Sequence, residues 1–201
     1  HTLMAVLFND MFNVRKVTIQ SNKNGAGGYT LFTPKEKFAN FPTKKFMLAN
    51  IIIALGGRAA EVVYYKNGLK IQENYDENRL FHDISDLEIT TGASNDLKQA
   101  NSIARKYISL FGLGQQIGLY DSGDQTQPFL GKELASSGNK ISEFTRQEID
   151  KEIKDLVEFC YKTALNIIEK NKNIFHIMTQ ELLDKKTLST EEIEKYRISY
   201  Y

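Results

Sequence analysis

Apolar residues recur along this chain at intervals of three and four, with one early stretch that alternates instead. The opening segment Thr2-Leu3-Met4-Ala5-Val6-Leu7-Phe8 is apolar enough to pack as a helix, with no capping side chain ahead of it. Arg15 to Ile19 and Tyr29 to Phe32 read as two short strands, joined by an Asn- and Gly-rich turn over Ser21 to Gly28. Together they form a hairpin, the clearest β signal in the sequence. Thr33 to Pro42 is a loop holding two of the three prolines. Thr43 then caps a helix whose stripe is Leu48, Ile51, Leu55, Ala59 and Val62. Gly56 and Gly57 interrupt it at a cost of roughly 1 kcal/mol each against alanine, which points to another backbone passing close by.

Lys66 to Glu88 loses the period and reads as a long polar surface insertion. After Thr91-Gly92, a helix carries Leu97, Ala100, Ile103, Ala104, Tyr107 and Phe111 on one face and stops at Gly112. A loop with Gly114, Gly118, Gly123 and Gly131 follows. The longest helix starts at Ser142, or at Thr145 with Glu148 as a capping box, and buries Ile149, Ile153, Leu156, Cys160, Ala164 and Ile167. A second helix around Ile174 to Leu183 makes a helical hairpin with it, and a short helix begins near Thr190. The fold class is therefore mainly α with a small β-hairpin, an α+β arrangement.

Composition narrows the function. The 201 residues hold 26 Lys+Arg against 25 Asp+Glu, so no basic field exists to neutralise a phosphate backbone and nucleic acid is not an expected partner. A hydrophobic share of 41% excludes a disordered chain. The single cysteine, Cys160, rules out an internal disulfide framework and reads as a small buried hydrophobe. The longest apolar run, Ile51 to Leu55, is far below the ~20 residues of a membrane span. Any transition-metal site must draw on His1, His82, His176 and carboxylates.

Each of these groups has an ordinary structural reading. His82 lies in the polar insertion, and His176 sits inside an amphipathic helix. His1, on an apolar helix, reads locally as a core residue. Asp96 shares a face with Ala100, Ile103, Tyr107 and Phe111, and a carboxylate so placed needs a cation, a metal or backbone donors. Its position in the first turn of a helix supplies backbone donors, and that is the local preference. Arg58 and Glu61 form an i,i+3 pair on a tight helix crossing. What these local readings leave unexplained is why Leu55-Gly56-Gly57-Arg58-Ala59-Ala60-Glu61 is followed by Thr90-Thr91-Gly92-Ala93-Ser94-Asn95-Asp96-Leu97.

Those two stretches, in that order, resemble the peptidase domain of the FtsH-type membrane-bound AAA zinc metalloproteases. Val17-Thr18-Ile19, Gly27-Gly28-Tyr29-Thr30, Ala104-Arg105, Phe129-Leu130-Gly131, Ile149-Asp150, Leu182-Leu183 and Thr187-Leu188 fit the same pattern. The sequence departs from it at Val62, where the family repeats a glutamate, and in the length of the 66–88 insertion. The resemblance places His1 as the second histidine of an H-E-x-x-H helix and Asp96 as the third zinc ligand. Three protein ligands leave a fourth position for water, which the motif's glutamate polarises. No catalytic residue then lies within the chain, because that glutamate is expected upstream of His1.

The resemblance further implies a single peptidase domain over residues 1–201. Residues 1–112 would form the metal-site part with its insertion at about 66–88, and residues 113–201 the loop and C-terminal helical hairpin. ATPase and membrane-spanning parts are expected ahead of His1, so ATP acts only through that module and the membrane is reached only through that segment. The implied activity is ATP-dependent endoproteolysis of unfolded or membrane proteins by a homo- or hetero-hexamer. Its setting would be a bacterial inner, mitochondrial inner or plastid membrane. This chain alone is expected to be inactive. The alternative is a pseudoprotease domain of the same fold that serves as an assembly scaffold. An edge strand of the hairpin is a candidate to hold substrate backbone by β-addition.

Overall fold

The computed structural model describes residues 1–20, 27–68, 89–119 and 142–198. Most of the turn over Ser21 to Gly28, the insertion beyond Gly68, His82, Gly123, and Phe129 to Gly131 lie outside the described residues.

A short helix α1 (Thr2–Leu7) leads into β1 (Phe12–Thr18) and β2 (Tyr29–Pro34), then α2 (Glu36–Ala39) and the long α3 (Lys44–Gly68). After a 3-10 turn at Thr91–Ala93 come α4 (Ser94–Arg105) and a π-helical turn at Lys106–Leu110. The chain continues with α5 (Glu143–Lys170), α6 (Lys172–Lys185), β3 (Thr187–Ser189) and α7 (Thr190–Ile198). The mainly α fold with a small β element is as the sequence indicates. The sheet, however, has three strands in the order β2-β1-β3, all antiparallel, rather than a lone hairpin. β3 pairs Leu188 with Val17 and Thr187 with Thr18. Three residues are too few to show alternation, which is why the pattern misses it. β1 starts three residues earlier than Arg15 and ends before Ile19, with a bulge between Val14 and Lys16.

The central element is α3. Thr43 Oγ1 accepts from the Phe46 N–H at 3.2 Å and caps it, as read from the sequence. Small residues (Ala49, Ala54, Ala59) and fully buried Ile51, Ile53 and Leu55 let α3 pack closely against α1, α4 and α5. Over Lys44–Tyr65 it is long and apolar enough to cross a membrane by length and composition. The longest uninterrupted apolar run understates this. Most of that window is buried inside the fold, which is also what a core helix shows. Stacked rings of Phe12 and Phe46 (4.9 Å between centroids) and of Phe38 and Phe46 (5.1 Å) tie the sheet and α2 to its first turn.

Two stripes shift from their expected positions. The π turn, closed by the Phe111 N–H on the Lys106 carbonyl, adds one residue to a turn and rotates the helix beyond it. Ile108 is therefore buried, and Phe111 is 46% exposed instead of facing the core. On α5, Ser142 is the cap, its Oγ accepting from the Thr145 N–H at 3.1 Å. The buried row ends on Ile168 rather than Ile167, and it includes the carboxylate of Glu152. Glu152 accepts backbone N–H bonds from Gln115, Gln116 (3.0 Å) and Ile117 (3.1 Å). Burial pushes its pKa up, but those three donors outweigh it and hold the group below the usual glutamate value. Gly114 leaves room for this, since a Cβ there would lie 2.8 Å from both carboxylate oxygens.

Candidate metal centre

Ninety-five positions apart in sequence, His1 and Asp96 meet on one side of α3. His1 Nε2 lies 3.3 Å from Asp96 Oδ2, with the two side chains 29% and 33% exposed. The other ring nitrogen, Nδ1, lies 2.7 Å from the Ile53 carbonyl. A carbonyl only accepts, so Nδ1 carries the proton and Nε2 is the atom turned to the carboxylate. Asp96 is half-exposed rather than sealed beneath its helix. It stands in the first turn of α4, where free N–H groups favour negative charge.

The glycine pair explains how the ring gets there. A Cβ on Gly57 would stand 2.7 Å from His1 Nε2, and one on Gly56 would meet Met4 Cγ at 3.2 Å and the His1 nitrogen at 3.3 Å. The backbone inferred to pass close to Gly56-Gly57 is thus the start of α1.

One turn further along, Arg58 and Glu61 reach the segment before α4. Arg58 Nη2 donates to the Thr90 carbonyl at 2.8 Å. The Thr90 hydroxyl donates to Glu61 Oε1 at 2.6 Å and accepts from the Gly92 N–H at 3.2 Å. The Arg58–Glu61 pair is present at 3.5 Å from Nη1 to Oε2, an attraction without a hydrogen bond, since Oε2 accepts none. Thr90, which the sequence marked only as part of a turn, is the residue that joins the two stretches. Its signal was the order of the stretches, not any local pattern.

Two donors of this chemistry suit one divalent ion. Nitrogen and oxygen ligands ~2.0–2.2 Å from zinc in a tetrahedron stand ~3.3–3.6 Å apart, the separation these atoms already have. A ring N–H fixed on a backbone carbonyl, as Nδ1 is here, is how ligating histidines are oriented. Among the described residues no group of three or more His, Cys, Asp or Glu converges, so the chain brings together two donors here. His176 is exposed on α6, a different element from the two that carry this pair. Cys160 is buried, its thiol pushed up to about 12 by burial, and takes no part.

A mainly helical domain with a small antiparallel sheet thus carries a half-exposed His–Asp pair against the glycine pair of its central helix. The sequence model of Peptidase family M41 matches residues 1–73 and 75–196, and the chain belongs to that family. It is 31% identical over all of its length to the ATP-dependent zinc metalloprotease FtsH of Trieres chinensis, covering 28% of that protein. To the proteins of the same name from Caldicellulosiruptor bescii and Bacillus subtilis it is 33% and 31% identical, over 97% and 96% of the chain. The chain spans little more than a quarter of the length of these curated relatives.

Proposed function

We propose that this chain is the peptidase domain, over residues 1–201, of an ATP-dependent, membrane-anchored zinc endopeptidase. Residues 1–112 hold its metal-site part, and its substrates are unfolded or membrane proteins. The observation that carries the reading is the His1 Nε2–Asp96 Oδ2 approach of 3.3 Å in a chain of this family. His1 and Asp96 are two of three ligands, and the third, with the general base, belongs to residues preceding His1. A bound zinc would supply Lewis acidity toward a peptide carbonyl.

The chain's own residues do the rest. Ile53 holds the His1 tautomer, and Asp96 contributes the negative charge that helps retain a dication. Among the described residues β2 is an edge strand of the sheet, which supports the reading that an extended substrate is held there by strand addition. Beside His1 a pocket of about 180 Å³, lined by Thr30, Ala60, Met178 and Leu182 among others, suits an apolar substrate side chain. ATP hydrolysis, membrane attachment and hexamer formation belong to the same proposal and rest on the relatives' name and on the resemblance.

The test is made in a parent protein carrying the residues that precede His1. Asp96→Ala should lower zinc affinity and abolish chelator-sensitive cleavage of an unfolded protein while helical content is kept. Full activity with one zinc per chain would remove Asp96 as a ligand. A parent lacking a histidine and a glutamate in the turn before His1 would be a scaffold instead.

A further inference from the structure

The turn of α3 that makes room for His1 also holds the approach to Asp96, and the two grips differ in kind. On the His1 side the helix offers a carbonyl, Ile53, and the bare backbone of Gly56 and Gly57. On the Asp96 side it offers two charged side chains, both spent on one residue. Arg58 takes the Thr90 carbonyl and Glu61 takes the Thr90 hydroxyl. That same hydroxyl caps Gly92 in the 3-10 turn that runs directly into α4. α4 itself has no side-chain cap at its start, where Ala93 stands in the capping position. The chain just ahead of the first turn of α4, which carries Asp96, is thus hydrogen-bonded to α3 through Thr90.

We propose that Arg58, Glu61 and Thr90 form a positioning clasp that sets the Asp96 carboxylate at metal-sharing distance from His1. The proposal rests on the metal reading of the His1–Asp96 pair and adds to it three residues that touch neither the ion nor the substrate. The carbonyl bond fixes where the chain enters the 3-10 turn, and the hydroxyl bond fixes how far that turn is wound. A slip in either moves the Asp96 carboxylate as a lever, because α4 starts four residues beyond Thr90, the partner of Gly92. Metal donors tolerate displacement of only about 0.2 Å, so a lever of one turn is enough to separate the pair. Arg58 and Glu61 are 20% and 25% exposed at their side chains, whereas Thr90, which both of them hold, is exposed.

The experiment is a zinc titration of the 201-residue chain, followed by the ¹⁵N resonances of the His1 ring, with far-UV circular dichroism as the check on folding. Thr90→Val deletes one hydroxyl from an exposed residue and keeps the branched shape of its side chain. Glu61→Ala removes the acceptor, while Glu61→Gln keeps an oxygen for the Thr90 hydroxyl and drops only the charge. Asp96→Ala defines the response of a chain without the second donor. The expected result is a rise of about 10–100-fold in apparent zinc Kd for Thr90→Val and Glu61→Ala, with Glu61→Gln close to wild type. Should Glu61→Ala fail to fold, Thr90→Val and Glu61→Gln still decide the matter. Wild-type affinity in Thr90→Val, with affinity lost in Asp96→Ala, would overturn the clasp alone. Glu61→Gln as weak as Glu61→Ala would overturn its hydrogen-bond basis. Wild-type affinity in Asp96→Ala would overturn the metal reading, and the clasp with it.

Discussion

Replacing Gly57 by alanine sets two effects against each other whose sizes can be worked from the structure. In a helix interior, Gly→Ala stabilises by up to about 1 kcal/mol. The new Cβ would lie 2.7 Å from His1 Nε2, and ordinary contact begins at 3.4 Å, so the imidazole must retreat by about 0.7 Å. It is the far end of a side chain, and yielding loosens the Nδ1 bond to Ile53, worth about 1 kcal/mol net, and the approach to Asp96. The terms nearly cancel, and the melting temperature should change by no more than about 4 °C. The proposed zinc site has no such compensation. A shift of that size exceeds the ~0.2 Å that ligand distances tolerate, and zinc affinity should fall at least about tenfold, or ~1.4 kcal/mol. Gly56→Ala is the control, because its Cβ would meet Met4 and the His1 backbone at 3.2–3.3 Å and leave the ring nitrogen alone. Thermal unfolding and zinc titration of both variants give the two readouts. Unchanged zinc affinity in Gly57→Ala, or an equal loss in Gly56→Ala, would refute the reasoning.

Removing the buried acceptor in Glu152→Ala strands the N–H groups of Gln115, Gln116 and Ile117 and should cost about 2–4 kcal/mol, read as the shift in urea midpoint. Because the folded-state pKa of Glu152 is depressed, its contribution is present above the unfolded glutamate value and lost as pH falls through the folded one. The wild-type advantage over Glu152→Ala should therefore shrink in acid and stay flat above about pH 6. Cys160, buried with its thiol at about 12, should resist alkylation at neutral pH until the protein unfolds. The 201-residue chain, supplied with zinc and an unfolded protein, should show no chelator-sensitive cleavage, whereas a parent extended through the preceding turn should.

Much of the fold was legible because it follows apolar stripes. Ile51, Leu55 and Ala59 are buried on α3 as spaced, and Gly56-Gly57 marked a close approach that proved to be the start of α1. What the pattern missed depends on residues distant in sequence. Glu152 has no place in the apolar α5 stripe, and its partners are backbone N–H groups with no side-chain signature. Leu188 is buried only because β1 stands ready to pair with a three-residue strand. Phe111 left its face through a π turn that spacing at 3.6 residues cannot anticipate. At the site, Asp96 alone favoured an ordinary first-turn aspartate. Its approach to His1 was expected from a family resemblance, and the bond geometry that holds it, through Thr90, was not expected at all.

The central claim is that His1 and Asp96 share one zinc ion. Anomalous diffraction at the zinc edge, from crystals of the parent protein with the residues preceding His1, tests it most directly. The account predicts a single peak ~2.0–2.2 Å from both His1 Nε2 and Asp96 Oδ2. A peak bound by His1 with Asp96 turned away, or zinc elsewhere on the domain, would contradict it.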